Sequence, residues 1–296
     1  MYFVTCLYNG KEQLGVLNQE KTGVIFLHDL HMDVKAAYML ELVDHWREEL
    51  LEEIKKGIAD VSPDKIVPLE NVKLQAPIPY PRRNVFCLGK NYMDHAKEIG
   101  TVLGGKEDIP EYPIYFSKVA APAIGDRDFV DSHRDIETKL DYEVELAVII
   151  GKEGKNIRKE EAEDYIFGYT ILNDISARGL QKVHSQWHRG KSLDTFCPMG
   201  PYLVHKSVLP FPVELDITCK VNGELRQNSN TRNLIFDIPT ILHDLSRGMT
   251  LKPGDIIATG TPAGVGMGFQ PFKFLNPGDV VECSIEKIGV LTNTIK

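Results

Sequence analysis

The sequence lacks the features that mark membrane-spanning, secreted and nucleic-acid-binding proteins. Its longest aliphatic run, LAVII at 146–150, is far shorter than the ~20 apolar residues that a membrane span needs. There is no long lysine or arginine run and the net charge is −8, so neither nucleic acid nor an anionic membrane is an expected partner. The first residues show no charged segment followed by a long apolar one, so we expect no signal peptide.

Cysteine is sparse and irregularly placed. The five cysteines are an odd number, and none of them is spaced as Cys-x-x-Cys. This disfavours a disulfide framework and a cysteine-rich zinc site, and it favours a reducing cytoplasm as the location. Cys197 has no recognisable base pattern nearby, so we predict that it is a packed core thiol.

Strand patterns dominate most of the chain, while helical patterns are few. This indicates an α+β, β-rich fold with a mixed or antiparallel sheet and short helical inserts, rather than a doubly wound sheet. Pro-Gly turns precede the last two predicted strands, in KPGDII and NPGDVV. The predicted strands lie in RNVFCLG, PIYFSKV, YEVELAVII, DYIFGYTILND, LDITCKVNG, GDIIATG and DVVECSI.

The N-terminal part differs in character from the rest. Short β-like runs over the first ~30 residues predict a small meander, and residues 34–58 have the apolar spacing of an amphipathic helix that one break can interrupt. Residues 61–83 are rich in proline, which does not suit a helix or a central strand, so we interpret them as a linker. We therefore predict a small N-terminal domain at 1–71 and a larger domain at 72–296.

Carboxylates line one face of a predicted strand in KLDYEVELAVII. Alternation places Glu143 and Glu145 on the same face, and Asp174 follows another apolar strand in GYTILNDISAR. Three converging carboxylates are unfavourable unless a cation lies between them, and an all-oxygen ligand set selects Mg²⁺ or Mn²⁺. The alternative is a solvated acidic face. Asp141 begins the series, either as a group behind the metal ligands or as the exposed start of the strand.

Two further segments offer groups for acid–base chemistry and for anion binding. In GKNYMDHAKEIG, His95 and Glu98 are three apart on a predicted short helix that Gly100 could end. Such a pair can take a proton from water, and the alternative is an exposed helix pair. The glycine- and proline-rich TVLGGKEDIPEYP that follows is typical of a mobile lid loop.

In SARGLQKVHSQWHRGKSLDTFCPMGP, Arg178, Gln181 and Lys191 could hold a carboxylate or stabilise an enolate oxygen, unless they are simply solvated. The glycines of ATGTPAGVGMGF match neither a dinucleotide fingerprint nor a P-loop. That segment is either a connecting turn or a loop that presents backbone N–H groups and the Thr261 hydroxyl to an anion.

The order of these motifs resembles the fumarylacetoacetate hydrolase family over residues 72–296. The similarity is carried by GKNYMDHAKE, LDYEVELAVIIG, GYTILNDISAR, GKSLDTFCPMGP, VNGELRQ and GDIIATGTPAGVG. The first ~70 residues resemble the variable leading domain of the longer bacterial members, such as acylpyruvate hydrolase and oxaloacetate decarboxylase. The resemblance implies a mixed β-sandwich roll, a homodimer and one Mg²⁺ or Mn²⁺ per site.

By matching positions, the resemblance also implies residue roles. Glu143, Glu145 and Asp174 take the places of metal ligands, and His95 and Glu98 match a water-activating dyad on a lid. Lys191 matches the catalytic lysine beside the metal, and Arg178, Gln181 and Thr261 match substrate-contacting places. Lys118 falls where members of the family often carry a lysine near the substrate. One departure is visible, because related sequences commonly read ARDLQ where this chain reads ARGLQ. Gly179 therefore lacks a carboxylate, which raises the question of how this loop is held.

The resemblance implies a metal-dependent hydrolase that cleaves a carbon–carbon bond in a small anionic 2-oxo acid or β-diketone. Fumarylacetoacetate and acylpyruvates are the substrates expected, with bond cleavage that leaves a metal-bound enolate. Decarboxylation of oxaloacetate reaches a similar enolate without an attacking water and is the alternative. Isomerisation or hydration of dienoic acids ranks below it. A non-catalytic ligand-binding or scaffold protein is a further alternative.

Overall fold

Two packed β-sheets form the body of the computed structural model, which describes residues 1–30, 35–102 and 109–296. The strands are β1 (Tyr2–Tyr8), β2 (Lys11–Leu17), β3 (Gly23–Phe26), β4 (Ile66–Pro68), β5 (Lys73–Leu74), β6 (Val85–Gly89), β7 (Ile114–Lys118), β8 (Phe129–Val130), β9 (Leu140–Asp141), β10 (Val144–Ile150), β11 (Ile166–Asn173), β12 (Ser176–Ala177), β13 (Met199–His205), β14 (Asp216–Val221), β15 (Glu224–Asn230), β16 (Ile256–Ala258), β17 (Val280–Ile285) and β18 (Gly289–Ile295). The helices are α1 (Met39–Asp44), α2 (Glu48–Asp60), α3 (Met93–Val102), α4 (Arg178–Val183), α5 (His188–Lys191) and α6 (Ile238–Ser246), with 3₁₀ turns at Leu27–Asp29, Pro63–Lys65, Leu69–Asn71, Lys159–Tyr165, Lys206–Val208, Thr231–Asn233 and Gly266–Gly268.

The larger sheet contains eleven strands and is mixed. Its order is β4-β3-β2-β1-β13-β11-β10-β16-β6-β7, with β5 paired to β1, and β16 runs parallel to β6. The smaller sheet has the order β15-β14-β17-β18-β8, and β9 pairs with β12 in a separate short ribbon. This α+β, β-rich arrangement confirms the fold class predicted from the sequence.

Apolar side chains cover both faces of the larger sheet. One cluster, which includes Val148 and Ile217, fills the space between the sheets, and a second, which includes Ile149 and Leu50, packs the N-terminal helices on the other face. Burial of each such side chain contributes roughly 1.5–3 kcal/mol. Strand β10 is therefore buried on both faces. Alternate side chains of β10 enter the two apolar clusters on opposite faces of the sheet, so neither face of the strand is exposed to water.

Within the described ranges the helices are few and short, and α2 spans 13 residues. None of the helices in the described part of the chain is long and apolar enough to cross a membrane. The predicted N-terminal helix is broken once, between α1 and α2, although its predicted start at residue 34 lies outside the described residues. Helix α3 continues past Gly100 to Val102, so the prediction that Gly100 ends it was wrong.

The proline-rich segment 61–83 is partly ordered into the sheet. Strand β4 pairs with β3 and β5 pairs with β1, so part of the predicted linker belongs to the sheet. Proline is still confined to the periphery, because Pro68 ends the outermost strand of the sheet. Strand β1 pairs with β13, so the larger sheet continues across residue 72. The division into domains at 1–71 and 72–296 stays a prediction.

A buried histidine lies where the N-terminal segment meets the larger sheet. The ring of His205 packs 4.7 Å from that of Trp46 and 5.3 Å from that of Phe167, between ring centroids. Its Nδ1 accepts a hydrogen bond from the Ser207 backbone N–H at 3.2 Å. Burial, assisted by the N-terminal ammonium and Lys206, lowers the pKa of His205 to about 3.

This histidine should make the protein sensitive to acid. Between pH about 6.5 and about 3 the unfolded chain binds a proton at His205 that the folded chain excludes. As the pH is lowered through this window, the free energy of unfolding should therefore decrease. His205 contributes at most about 1.4 kcal/mol of this loss per pH unit. Urea unfolding of His205→Gln at several pH values should show a shallower acid loss, whereas the exposed His184→Gln should keep the original slope. Equal slopes in all three proteins would contradict the prediction.

Candidate metal centre and active site

The paired strands β10 and β11 bring three carboxylates together at one end of the larger sheet. Glu143 and Glu145 flank the start of β10, and Asp174 follows β11, with its N–H donating to the Glu143 carbonyl at 2.8 Å. One carboxylate oxygen from each residue lies within 4.8 Å of the others. The exposed fractions are 5% for Glu143, 1% for Glu145 and 0% for Asp174. The alternative of a solvated acidic face is therefore wrong.

Buried cations neutralise two of these carboxylates. Lys191 Nζ lies 2.7 Å from Glu143 Oε2 and 2.6 Å from Asp174 Oδ2, and Arg178 Nη2 lies 2.6 Å from Glu143 Oε1. Burial by itself would raise the pKa of Glu143, but the charges of Lys191 and Arg178 outweigh it and hold that pKa below its usual range. Burial lowers the pKa of Lys191, and the carboxylates of Asp174 and Glu143 more than restore it. Both groups are charged at neutral pH.

Glu145 has a different environment from that of its two neighbours. Its Oε2 accepts a hydrogen bond from the Gly260 N–H at 2.8 Å. Burial first, and then the charges of Asp174 and Glu143, raise the pKa of Glu145 well above its usual range. A divalent cation would offset this repulsion, and the three carboxylates supply the oxygen ligands that Mg²⁺ and Mn²⁺ prefer. The donor set therefore fits the predicted metal.

Lys118 lies next to the clustered carboxylates, on the side away from the cavity. It is fully buried, and its Nζ lies 3.0 Å from Asp174 Oδ1 while donating to the carbonyls of Ile175 at 3.1 Å, Phe196 at 2.6 Å and Lys191. Lys118 is not among the described residues that line the cavity beside the carboxylates. The geometry gives no support to a direct substrate contact. It assigns Lys118 to fixing Asp174 and the backbone around it.

Asp141 is buried and joins two segments of the site. Its carboxylate accepts from Arg178 Nε at 2.9 Å, from the Gly266 N–H at 2.6 Å and from the Met267 N–H at 3.0 Å. The side chain is 0% exposed, so it is not the solvated start of a strand. Asp141 therefore holds Arg178 and the segment at 266–267 behind the three clustered carboxylates.

Loss of the Asp141 charge should be costly. In Asp141→Asn the buried Arg178 keeps its charge but loses an anionic partner, which we expect to destabilise the fold by about 3 kcal/mol. Urea unfolding measures this, with the exposed Asp135→Asn as the matched control. If Asp141→Asn lowered the free energy of unfolding no more than the control does, the Asp141–Arg178 ion pair would not stabilise the fold.

The two residues predicted as an acid–base dyad are in contact on α3. His95 Nδ1 lies 3.0 Å from Glu98 Oε2, and His95 is only 6% exposed, so the alternative of an exposed helix pair was wrong. A carboxylate accepts the Nδ1 proton, which leaves Nε2 of the neutral imidazole free to act as a base. The other carboxylate oxygen, Glu98 Oε1, accepts the Gly264 N–H at 2.9 Å. Glu98 thus ties the helix to the glycine-rich loop.

The glycine-rich loop reaches the site because of its backbone geometry. Gly264 has φ +101°, and a Cβ there would overlap the Arg226 carbonyl, so a larger residue could not occupy this position unchanged. Thr261 Oγ1 donates to the Val144 carbonyl at 2.9 Å and accepts from Gln227 Nε2 at 2.8 Å. Its single hydroxyl proton is already used within the protein, so the geometry gives no support to donation from this hydroxyl to a substrate.

A cavity of about 430 Å³ collects the acidic, basic and acid–base groups. Among the predicted site residues, those that line it are His95, Glu143, Glu145, Arg178, Gln181, Lys191 and Thr261. Asp174 and Glu98 are not among the lining residues, but they contact lining residues, Asp174 through Lys191 and Glu98 through His95. Residues 103–108, which carry much of the predicted lid loop, lie outside the described residues.

Several lining groups were not predicted from the sequence. Phe116 and Trp187 meet edge to face with ring centroids 5.3 Å apart, and Lys191 Nζ lies 5.1 Å from the centre of the Phe116 ring. Phe272, Phe274, Lys90, Lys139 and Lys182 complete an aromatic and basic wall. These residues lie on segments that are far apart in the sequence, including strand β7 for Phe116 and helix α4 for Lys182, so spacing along the chain carries no signal for them. The proximity of Lys139 to the acidic strand is the single sequence clue.

Gln227 was also missed, although it lies in the quoted VNGELRQ motif. It is fully buried, its Oε1 accepts the Val144 N–H at 3.1 Å, and its Nε2 donates to Thr261 and to the Pro262 carbonyl at 2.8 Å. Gln227 therefore fixes the start of β10, and with it the spacing of the two glutamates.

Known proteins that are similar to this chain include enzymes of several kinds. The chain is 55% identical over 227 residues to the oxaloacetate tautomerase YisK of Bacillus subtilis, covering 77% of this chain and 74% of that protein. A fumarylacetoacetate hydrolase structure from Exiguobacterium antarcticum is 41% identical, with a TM-score of 0.83 over 100% of this chain and 99% of that one. A maleylpyruvate hydrolase from Sphingobium sp. SYK-6, solved with manganese(II) and pyruvate, is 28% identical, with a TM-score of 0.77 over 100% and 98% of the two chains.

The family comparison covers the part of the chain that carries the site. The family model described as the C-terminal domain of fumarylacetoacetate hydrolase matches residues 84–296. That range contains the carboxylates, the dyad on α3 and the glycine-rich loop. The match agrees with the motif order noted in the sequence. The chain belongs to the fumarylacetoacetate hydrolase family.

Proposed function

We propose that the chain is a metal-dependent enzyme that acts on a small anionic 2-oxo acid through its enolate, and that keto–enol tautomerisation of oxaloacetate is its first candidate reaction. The observation that carries the proposal is one cavity that holds the buried Glu143 and Glu145 together with the base His95. The name of the 55% identical relative supports oxaloacetate as substrate. We propose Glu143, Glu145 and Asp174 as the ligands of Mg²⁺ or Mn²⁺.

The cationic groups suit the charge of such a substrate. A bound divalent cation would polarise the 2-oxo group and lower the energy of its enolate. Lys191 lies beside two of the proposed ligands and can stabilise negative charge on the former carbonyl oxygen. Arg178 and Gln181 line the cavity, and Gln181 Oε1 accepts from Arg178 Nη1 at 3.0 Å, so the Gln181 amide N–H groups can orient a substrate carboxylate.

His95 would move the proton in tautomerisation. Its Nε2 takes a proton from the carbon next to the 2-oxo group, and the electrons of that C–H bond form the carbon–carbon double bond of the enol. The former carbonyl oxygen takes a proton from solvent. In the reverse direction the imidazolium returns its proton to carbon, and Glu98 stabilises that cation through Nδ1.

Hydrolytic cleavage of a carbon–carbon bond is the second candidate. The same base can deprotonate water, which attacks the distal carbonyl, and the bond then breaks to leave an enolate and a carboxylic acid. The cavity of about 430 Å³ with its wall of Phe116 and Trp187 favours this candidate, because it has room for a larger distal group than oxaloacetate carries. Decarboxylation of oxaloacetate needs no base, and its products, pyruvate and carbon dioxide, distinguish it from the other two reactions.

A side-by-side assay tests the proposal. Protein loaded with Mg²⁺ or Mn²⁺ is given oxaloacetate, acetylpyruvate, fumarylacetoacetate and maleylpyruvate, and enol absorbance, pyruvate and carbon dioxide are followed separately. We expect the enol and keto forms of oxaloacetate to equilibrate faster than in buffer with the same metal. Cleavage of an acylpyruvate with little tautomerisation would favour the hydrolase. If no substrate reacted faster than in the metal-containing buffer, the enzymatic proposal would be wrong.

We further propose that the protein works as a homodimer in the cytoplasm. The family resemblance supports the dimer, and the five free, buried cysteines are consistent with a reducing compartment. Light scattering coupled to size exclusion should give twice the chain mass of 33.3 kDa. A mass of one chain would contradict the dimer.

A further inference from the structure

A buried carboxylate outside the proposed metal centre caps the helix that carries Arg178. Glu137 is 5% exposed, and its Oε2 accepts the Leu180 N–H of α4 at 3.0 Å. Its Oε1 accepts the N–H groups of Thr138 and Lys139, both at 2.7 Å. One side chain therefore fixes its own turn and, at the same time, the first turn of a helix far along the chain.

The same turn supplies a second contact to the start of the helix. The Arg178 N–H donates to the Lys139 carbonyl at 3.0 Å. Ala177, which precedes the helix, provides no capping side chain of its own. The N-terminal end of α4 is thus held by the segment at 137–139, which leads directly into the strand of Asp141 and Glu143.

Gly179 leaves the space that this arrangement requires. A Cβ at residue 179 would lie 2.8 Å from both carboxylate oxygens of Glu137, which is closer than real contacts allow. A side chain at residue 179 would therefore extend directly towards the Glu137 carboxylate. Because that carboxylate is held by three N–H groups, it cannot move aside without losing them.

We propose that Glu137 is a positioning residue that sets Arg178 and Gln181 for the substrate, a role that rests on the proposed function. Both residues lie on α4 and line the cavity, while Glu137 lies behind the helix and does not line it among the described residues. The proposal also accounts for ARGLQ in place of ARDLQ. A carboxylate on residue 179 and the carboxylate of Glu137 would occupy the same place, so this chain supplies the group from position 137.

An exchange of the carboxylate between the two positions tests the proposal. Glu137→Ala should remove the carboxylate that caps α4, and Gly179→Asp should place a second carboxylate against it. The double variant Glu137→Ala with Gly179→Asp should restore a single carboxylate at the start of α4. The exposed Asp135→Ala removes the same charge from the same turn and is the matched control. All proteins are studied as full chains loaded with Mn²⁺.

Two readouts separate positioning from a general loss of structure. We expect Glu137→Ala to weaken binding of oxalate, a mimic of pyruvate enolate, by about ten- to a hundredfold, because Arg178 and Gln181 lose their alignment. Mn²⁺ affinity should stay within about twofold. The double variant should recover most of the oxalate affinity, and hydrogen exchange at the Leu180 amide should rise in Glu137→Ala and fall again in the double variant.

Other outcomes would overturn the proposal. If Glu137→Ala lowered the melting temperature but left oxalate affinity and exchange at Leu180 unchanged, Glu137 would be structural only. The same conclusion would follow if the double variant recovered neither quantity. If the wild-type protein bound no oxalate and turned over no 2-oxo acid, the proposed function would be wrong, and exchange at Leu180 would still decide whether Glu137 caps α4.

Discussion

Replacement of Glu145 by glutamine is expected to weaken Mn²⁺ binding by about 100-fold or more and to abolish most turnover. The same change should raise the melting temperature of the metal-free protein. The reason is that burial, Asp174 and Glu143 disfavour the Glu145 anion, so a neutral amide of the same shape relieves repulsion in the metal-free state. Calorimetric titration with Mn²⁺ and thermal unfolding with and without the metal measure both effects.

The opposite signs make this test specific. A ligand that binds only the folded state stabilises it by an amount that rises with the logarithm of the ligand concentration relative to its Kd. Added Mn²⁺ should therefore stabilise the wild type more than Glu145→Gln. Glu282→Gln, on β17 and outside the cavity, should behave as the wild type does. If Glu145→Gln bound Mn²⁺ as tightly as the wild type, the three carboxylates would not be the metal site.

Replacement of His95 by alanine is expected to slow tautomerisation and hydrolysis by about 10²- to 10⁴-fold, which is the usual contribution of a positioned base. Mn²⁺ affinity should change little, because His95 is a partner of Glu98 and not one of the clustered carboxylates. Rates are measured under single-turnover conditions with metal at saturation. Any decarboxylation of oxaloacetate should persist, since that reaction needs no base.

Two variants control for the loss of a histidine side chain. The exposed His184→Ala should keep full activity. Glu98→Gln should retain the position of His95 but lose the stabilisation of its cation, so it should be slower than the wild type and faster than His95→Ala. If His95→Ala tautomerised oxaloacetate at the wild-type rate, another group would have to be the base.

Strands with uninterrupted apolar runs can be predicted from the sequence. Strands that contain glycine and proline, or that are largely polar, cannot. Strand β13 contains Gly200 and Pro201 and pairs irregularly with β11, so its sequence resembles a turn. Strand β15 is largely polar, and even its buried residues, Gln227 and Asn230, are amides. The both-sided burial of β10 depends on helices from the N-terminal part, and local alternation contains no information about them.

The candidate site divides in the same way. Groups on regular elements, such as His95 and Glu98 on one helix, are predictable because three residues along a helix is one turn. The contacts of Asp141 and Lys118 could not be predicted, because their partners are distant in the sequence. The compensation at Gly179 depends on Glu137, a residue that no motif marks.

The pairing of β1 with β13 has a consequence for shortened forms of this protein. A chain that began at residue 84, where the family match starts, would lack β1 and leave one side of β13 without hydrogen-bond partners. Buried residues such as Leu203 would also lose the cover that Phe3 and the N-terminal helices provide. Such an open strand is a template for pairing with another copy, so the isolated fragment should aggregate. The N-terminal segment therefore protects the sheet against self-association.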